Sequence, residues 1–199
     1  LEKSKLQKLH ERLYQPVANQ ITIIKRIAAW EYAMLPAKAI ADPQQAVRFS
    51  AEPDFEDAEF TMGKAPFGNS IRHPCATPWD GSQRLVLRRP FTLDEIPTAA
   101  SMQFYTYLKG QPLADGSLGK QWQHARVYLN GKFVLDESTR LTDPEQRVSE
   151  VFLRPKILKA LKVGPNSIAI EIIPGLDPKR GKIGDVADEV YFDFSFFKR

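Results

Sequence analysis

The spacing of hydrophobic residues changes about a quarter of the way along the chain. In residues 3–34 the apolar positions recur at three and four, as on one face of a helix. These positions are Leu6, Leu9, Leu13 and Val17, followed by Ile24, Ile27 and Ala28. Pro16 interrupts the stripe, and Pro36 and Pro43 close it. The pattern therefore predicts a helical segment over residues 1–45, divided or restarted near Pro16.

Beyond residue 45 the apolar period becomes two, which is typical of strands. The predicted strands are Ala46–Ala51, Glu59–Met62, Arg84–Arg89, Ala99–Leu108, His124–Asn130, Lys132–Asp136, Arg147–Leu153, Ser167–Ile173 and Val190–Phe197, with one helical turn over Pro155–Val163. Many short strands joined by turns, with no long helices between them, favour an antiparallel β-sandwich over a parallel sheet. We therefore predict a mainly β fold, with a sandwich over residues 46–199 preceded by the helical segment.

The stretch RVYLNGKFVLD predicts a β-hairpin. Asn130 and Gly131 suit the two positive-φ positions of a type I′ turn, which fixes the register of the flanking strands. In the first strand of this hairpin Ala125, Val127 and Leu129 share one face, and His124, Arg126 and Tyr128 share the other. We expect one of these faces to be core and the other to be solvent-exposed or a contact surface.

Charge and cysteine content exclude several classes of protein. The formal net charge is +4, and residues 1–40 alone carry seven Lys or Arg against three Glu, so the remainder is neutral. Nucleic-acid binding, which needs clustered Lys and Arg, is therefore not predicted. One cysteine, Cys75, allows neither an internal disulfide nor a four-cysteine zinc site. No apolar run approaches the roughly 20 residues of a membrane span. The first residue is Leu rather than Met, which indicates a fragment or processed form.

Several segments, in order, resemble the galactose-binding-like β-sandwich, the jelly roll found as a sugar-binding-type domain in multidomain glycoside hydrolases. They are PDFEDAEFTMGKAPFG, TPWDGSQRLVLRRPF, ARVYLNGKFV, ILKALKVGPNSIAIEI and DEVYFDFSFF. The resemblance runs over residues 46–199 and does not cover residues 1–45. Two positions depart from the usual pattern: Phe60 stands where Trp is common, and Glu56 where the first Asp is common.

The resemblance implies a non-catalytic accessory module of a larger, bacterial, secreted or periplasmic carbohydrate-active hydrolase. Its expected partners are a carbohydrate and the catalytic domain of the parent protein, and no cofactor is expected. Asp54, Glu56, Asp57 and Glu59 offer hard oxygen ligands of the kind that calcium prefers, and related sandwiches often carry a structural calcium ion. We favour a solvated turn for this acidic cluster.

The sequence contains no catalytic constellation. His10, His73 and His124 are far apart, no nucleophile elbow or phosphate-binding glycine loop is present, and Cys75 has no adjacent base. Cys75 is interpreted as a small buried or loop residue. With 24 acidic residues a pair of carboxylates can always be found, so acids alone do not indicate a glycosidase.

Carbohydrate binding needs an aromatic plane for the sugar ring and polar side chains for its hydroxyls. The candidates are Trp122, His124 and Arg126 in one neighbourhood, and Trp79 with Asp80 in another. A structural interpretation competes with both, since Trp79 could pack inside the family-like stretch and Trp122 could cover a sheet. Arg88 and Arg89 point to opposite faces of their strand, and a buried arginine there would need Glu171 or Asp193 as its partner.

Three functions are open at this level. The first is carbohydrate binding, and the second is a purely structural or docking role towards a catalytic domain. The third, in which the sandwich itself hydrolyses a substrate, has the least support because its residues cannot be named.

Overall fold

The computed structural model describes residues 21–36, 57–71, 73–109, 121–141, 147–176 and 189–198. These form twelve strands and one short helix. The elements are β1 (Ile21–Ile24), β2 (Ala29–Leu35), β3 (Thr61–Lys64), β4 (Phe67–Gly68), β5 (Thr77–Pro78), β6 (Arg84–Leu93), β7 (Ala100–Lys109), β8 (Gln121–Leu129), β9 (Lys132–Leu141), β10 (Arg147–Phe152), α1 (Pro155–Leu158), β11 (Gly164–Leu176) and β12 (Glu189–Lys198).

The strands form two six-stranded sheets. The first sheet has the order β10-β7-β12-β4-β5, with β1 also paired to β12, and the second has the order β3-β2-β6-β11-β8-β9. All pairs are antiparallel except β4 with β5. Inward side chains of both sheets belong to one buried apolar cluster. Two face-packed antiparallel sheets define a β-sandwich, as predicted.

Aromatic contacts join the two sheets across the core. Trp30 on β2 meets Phe194 on β12 edge to face, with 6.0 Å between ring centroids. Phe91 on β6 meets Phe196 on β12 in the same manner at 5.9 Å. Such edge-to-face pairs add roughly 0.5–1.5 kcal/mol beyond the burial of their area. The central strand β12 of the first sheet therefore packs directly against β2 and β6 of the second sheet.

The predicted hairpin is present. Asn130 and Gly131 have φ of 51° and 75°, as a type I′ turn requires, and β8 pairs with β9 on either side of them. Of the two faces of β8, the one with Ala125, Val127 and Leu129 lies in the core. A register shift near Val127 separates the turn from the rest of the ladder.

The helical prediction is wrong for residues 21–35, which form β1 and β2. The cause is non-local, because β1 finds hydrogen-bonding partners on β12 and β2 finds them on β3 and β6. Ile24 and Trp30 are thereby buried in the core. Residues 1–20 lie outside the described part of the chain. The domain boundary at residue 45 stays a prediction, although 21–35 contribute to the same two sheets as the later strands.

One glycine in the family-like stretch is required by close packing. Gly68 has φ of 151°, and a Cβ placed there would lie 2.0 Å from the carbonyl oxygen of Val190 on β12. Only a residue without a side chain lets β4 approach β12 in this way. Of the predicted strands, Ala46–Ala51 falls outside the described residues. The predicted helical turn is shorter than expected, ending at Leu158.

Candidate functional site

An open groove of about 680 Å³ lies between an edge strand of each sheet. Its walls come from β9, from the end of β10, and from α1 with the residues that follow it. In the described part of the chain β9 is the last strand of one sheet and β10 the last strand of the other. The hairpin turn at Asn130 brings β9 to that position, and residues 153–163 carry the chain from one sheet to the other.

The hairpin turn is tied to the segment after α1 by side-chain amides. Asn130 Nδ2 donates to the carbonyl oxygen of Ala160 at 2.7 Å and to Oδ1 of Asn166 at 2.9 Å. Asn166 Nδ2 in turn donates to the carbonyl oxygens of Lys162 at 2.7 Å and Gly164 at 2.9 Å. Because Asn166 is only 4% exposed, these bonds are shielded from water. The two walls of the groove are therefore held at a fixed separation at this end.

The groove combines an apolar surface with a cationic rim. Seven of its twelve lining residues are apolar, among them Phe133, Val134, Leu135, Val151 and Ile157. Phe152, also in the lining, is 60% exposed. Four lining residues are cationic: Lys132, Arg154, Lys156 and Lys159. Apolar surface with a few polar groups at its margin is the usual composition of a small-ligand site.

The one acid among the described residues of the lining, Asp136, pairs with Arg126. Oδ2 of Asp136 lies 3.5 Å from Nε of Arg126, and the Asp136 side chain is 5% exposed. Asp136 and Arg126 are opposite each other in the β8–β9 ladder, on the face that points away from the core. Among the residues that the structure describes, the charge that the groove presents to solvent is therefore positive.

Arg126 belongs to a buried ionic network on the outer face of the second sheet. Its Nη1 lies 3.7 Å from Oε2 of Glu171, and Glu171 also pairs with Arg84 in a short contact. The Glu171 and Arg84 side chains are 1% and 6% exposed. Tyr128 lies in the same region, and burial together with the nearby Glu171 charge raises its pKa to about 12. The network satisfies charges that would be costly to bury alone.

The structure describes the side chains of three of the five predicted sugar-binding residues, Trp79, Asp80 and Arg126. Trp79 is 2% exposed in the core, and its Nε1 donates to the carbonyl oxygen of Gln83 at 3.0 Å. The prediction that its ring stacks on a sugar is therefore wrong, because no face of the ring is open. The structural interpretation of Trp79 is confirmed.

Asp80 closes a local turn. Its Oδ1 accepts hydrogen bonds from the backbone N–H of Ser82 at 2.9 Å and from the Ser82 hydroxyl at 2.6 Å. The bond from the Ser82 side chain is the main cause that lowers the pKa of Asp80. This geometry is an Asx turn. A sugar contact by Asp80 stays a prediction.

Arg126 is likewise held by other protein groups, Asp136 and Glu171, rather than presented at a rim. The backbones of Trp122 and His124 pair with Arg140 and Ser138 in the β8–β9 ladder. Their side chains lie outside the described part of the structure, so their role stays a prediction. The lining of the groove was missed from the sequence because its residues come from three elements. The signal that was present is the run of Arg154, Lys156, Lys159 and Lys162 around α1.

Glu171 and Asp193, the acids named as partners for a buried Arg88 or Arg89, pair with other arginines. Asp193 pairs with Arg26, and Glu171 pairs with Arg84 and Arg126. Arg88 and Arg89 do not fill these roles. Arg88 is half exposed, pairs with Glu31 at 2.5 Å and covers the ring of Phe60, while Arg89 donates to the carbonyl oxygen of Ala29 at 3.0 Å.

The described residues contain no group of three or more His, Cys, Asp or Glu side chains placed to hold a metal ion. In the predicted acidic cluster Asp57 and Glu59 are exposed, and Asp54 and Glu56 lie outside the described residues. Cys75 is half-buried, its Sγ donates to the carbonyl oxygen of His73 at 3.2 Å, and burial raises the pKa of its thiol. This fits the structural role predicted for Cys75.

No protein-family model and no curated protein matches the sequence. Solved structures with a similar fold include an uncultured Clostridium sp. β-glucuronidase, 13% identical, with 92% of this chain and 30% of that chain covered and a TM-score of 0.47. A family 35 carbohydrate-binding module from an environmental isolate is 11% identical, with 65% and 85% covered and a TM-score of 0.37. A carbohydrate-binding module in complex with calcium and xylotriose is 11% identical, with 68% and 92% covered and a TM-score of 0.36.

This chain therefore spans about 30% of the length of the β-glucuronidase that it resembles. At these identities the likeness concerns the fold alone, and the sandwich is defined by its own strand pairing. The strand pairing defines the class of this protein as a two-sheet β-sandwich, antiparallel except for the short pair of β4 with β5. Within the described residues no helix is both long and apolar enough to cross a bilayer.

Proposed function

We propose that this chain is a non-catalytic carbohydrate-binding module and that its ligand lies in the groove between β9 and β10. The observation that carries the proposal is the groove itself, with an apolar floor, an exposed aromatic ring at Phe152 and a charged rim. A pyranose ring has an apolar face and an edge of hydroxyl groups, which such a surface complements.

The rigidity of the site supports the same proposal. The amides of Asn130 and Asn166 fix the hairpin turn against the segment after α1, so a ligand need not order that end of the groove on binding. A preformed site can bind a small oligosaccharide with a modest number of contacts. We propose further that the chain serves as an accessory module of a larger, secreted or periplasmic carbohydrate-active hydrolase.

The test is a glycan array followed by isothermal titration calorimetry with the full chain. We expect binding of at least one glycan class with a dissociation constant below millimolar. Replacement of Phe152 by Ala should weaken that binding about two- to tenfold, because an aromatic contact of this kind is worth roughly 0.5–1.5 kcal/mol. Val148→Ala is the matched control, since Val148 is 57% exposed on the same strand but does not line the groove. Absence of binding to every glycan at millimolar concentration would refute the proposal.

A second candidate function is a structural or docking role towards a neighbouring domain. It is favoured by the two exposed apolar side chains of the edge strand β10, Val148 and Phe152. An exposed edge strand with apolar residues is a surface on which another protein segment can pack. Sedimentation velocity distinguishes the two functions, because concentration-dependent association that Val148→Asp abolishes would support docking.

A further inference from the structure

We propose that the groove selects acidic saccharides, whose carboxylate or sulfate groups pair with Lys132, Arg154, Lys156 and Lys159. This inference rests on the proposed function and names the class of ligand for the same groove. It starts from the four cations and one acid of the lining.

The charge is local to the groove. Residues 41–199 carry no net formal charge, so four cations around one cavity are not a consequence of a basic chain. All four are exposed, and among the residues that the structure describes none of them forms an ion pair with a carboxylate. The acid that could have neutralised the groove, Asp136, is directed to Arg126. The positive charge is thus available to a ligand.

The positions of the four cations also indicate which kind of anion the groove binds. One cation, Lys132, belongs to the start of β9, and the other three, Arg154, Lys156 and Lys159, belong to α1 and the residues that flank it. The cations therefore come from two walls of a groove whose other described lining residues are mostly apolar. A single small anion would meet one or two of them, whereas an oligosaccharide with an acidic group on successive sugars would lay its rings on the floor and its charges along the rim.

Carboxylate and sulfate groups would both pair with these cations, so the experiment compares ligands that carry one or the other group. We would titrate the full chain with oligogalacturonate, with its fully methyl-esterified form, and with a sulfated galactan oligosaccharide of the same length. The ester is the matched neutral ligand, because it keeps the sugar and removes the charge. We expect the free acid or the sulfated ligand to bind at least tenfold more tightly than the ester. That preference should shrink about tenfold between 50 and 500 mM NaCl, since exposed charges are screened. Selective binding of only one of the two anions would identify the source of the charge.

The matched variants are Lys156→Glu with Lys159→Glu, and Lys162→Glu as the control. Lys162 is exposed and close in sequence but does not line the groove. The double variant should weaken acidic ligands at least tenfold and change neutral ligands less than twofold, while the control changes both less than twofold. Circular dichroism and thermal melting establish that each variant is folded.

The outcomes separate the two proposals. Equal binding of the acid and its ester, unaffected by the double variant, would overturn the acidic selectivity and leave carbohydrate binding intact. Failure of all glycans, charged and neutral, would overturn the proposed function together with this inference. Tighter binding of a single-stranded oligonucleotide than of any acidic saccharide would overturn the assignment of the groove to sugars.

Discussion

Nε of Arg26 donates a 3.0 Å hydrogen bond to Oδ2 of Asp193, a residue 167 positions later in the chain. The Asp193 side chain is fully buried, and its Oδ1 accepts from the backbone N–H of Ile27 at 3.2 Å. Arg26 also donates to the Tyr191 hydroxyl at 2.8 Å and lies 3.9 Å from the centroid of the Tyr105 ring. The link between β1 and β2 is thus fastened to the central strand β12, just where the chain passes from one sheet to the other.

Replacement of Arg26 by Ala should lower the free energy of unfolding by about 3 kcal/mol. The variant leaves the buried Asp193 carboxylate without its cation, which is far more costly than loss of an exposed ion pair. Urea denaturation followed by tryptophan fluorescence measures the change. Lys25→Ala, an exposed neighbour, is the control and should shift the value by less than about 0.5 kcal/mol. Similar effects of the two variants would contradict the anchoring role.

The residue after Arg26 is held in an unfavourable backbone conformation. Ile27 has φ of 60°, a region that β-branched residues rarely adopt, and its side chain is 50% exposed. Ile27→Asn should therefore raise the free energy of unfolding by about 1 kcal/mol, because Asn tolerates this region and little packing is lost. Ile96→Asn is the control for replacing an exposed isoleucine by Asn, since Ile96 is 48% exposed and is not among the positive-φ residues. Thermal melting compares them, and an equal or lower melting temperature for Ile27→Asn than for Ile96→Asn would contradict the prediction.

Two ion pairs on the second sheet differ mainly in burial. We therefore expect very different losses in the free energy of unfolding when each pair is broken. Glu171 with Arg84 is almost completely buried, whereas Glu31 and Arg88 are 42% and 46% exposed. Glu171→Ala should lower the free energy of unfolding by about 3–5 kcal/mol, because it leaves arginine charge buried without its acid. Glu31→Ala should cost less than about 1 kcal/mol. Guanidinium denaturation measures both, and comparable losses would show that burial does not govern these pairs.

The raised pKa of Tyr128 predicts a loss of stability at high pH. Tyrosine in an unfolded chain ionises near pH 10, and in the folded protein burial and Glu171 raise the pKa of Tyr128 to about 12. Between these values the unfolded state releases the proton first, so the free energy of unfolding falls as pH rises from about 10 to 12. The contribution at pH 11 is about 1 kcal/mol. The stabilising contribution of Tyr128 is fully present below pH 10, where the tyrosine is protonated in both the folded and the unfolded state.

Urea denaturation at pH 8, 10 and 11 tests this dependence in the wild type and in Tyr128→Phe. The variant lacks the ionising hydroxyl, so it should lose about 1 kcal/mol less than the wild type between pH 8 and 11. Absorbance at 295 nm should also show one fewer tyrosine ionising near pH 12 in the folded variant. Parallel losses of stability in the two proteins would contradict the assignment.

Much of the fold could be predicted from the sequence, because its signals are local. Alternation of apolar and polar residues indicated the long strands β6, β7, β11 and β12, and Asn130-Gly131 indicated the hairpin. A two-residue turn and the period of a strand depend on neighbouring residues only. The local signal failed at residues 21–35, where the helical spacing of Ile24, Ile27 and Ala28 outweighed the β-branched run Ile21-Thr22-Ile23-Ile24. The run Ile21–Ile24 pairs with β12, which is distant in the chain, and no local pattern indicates that pairing.

By itself the sequence determined the sandwich class, the hairpin turn, and the neutral balance of the chain after residue 40. The tertiary structure decided which charges are buried, placing Arg26 on Asp193 and Arg84 on Glu171, and it removed Trp79 from the surface. It also decided where a ligand can bind, because the groove exists only where β9 of one sheet and β10 of the other meet α1. Strand period and turn type depend on residues a few positions apart. Burial and cavities depend on which distant segments pack together, and that is set only when the two sheets close on each other.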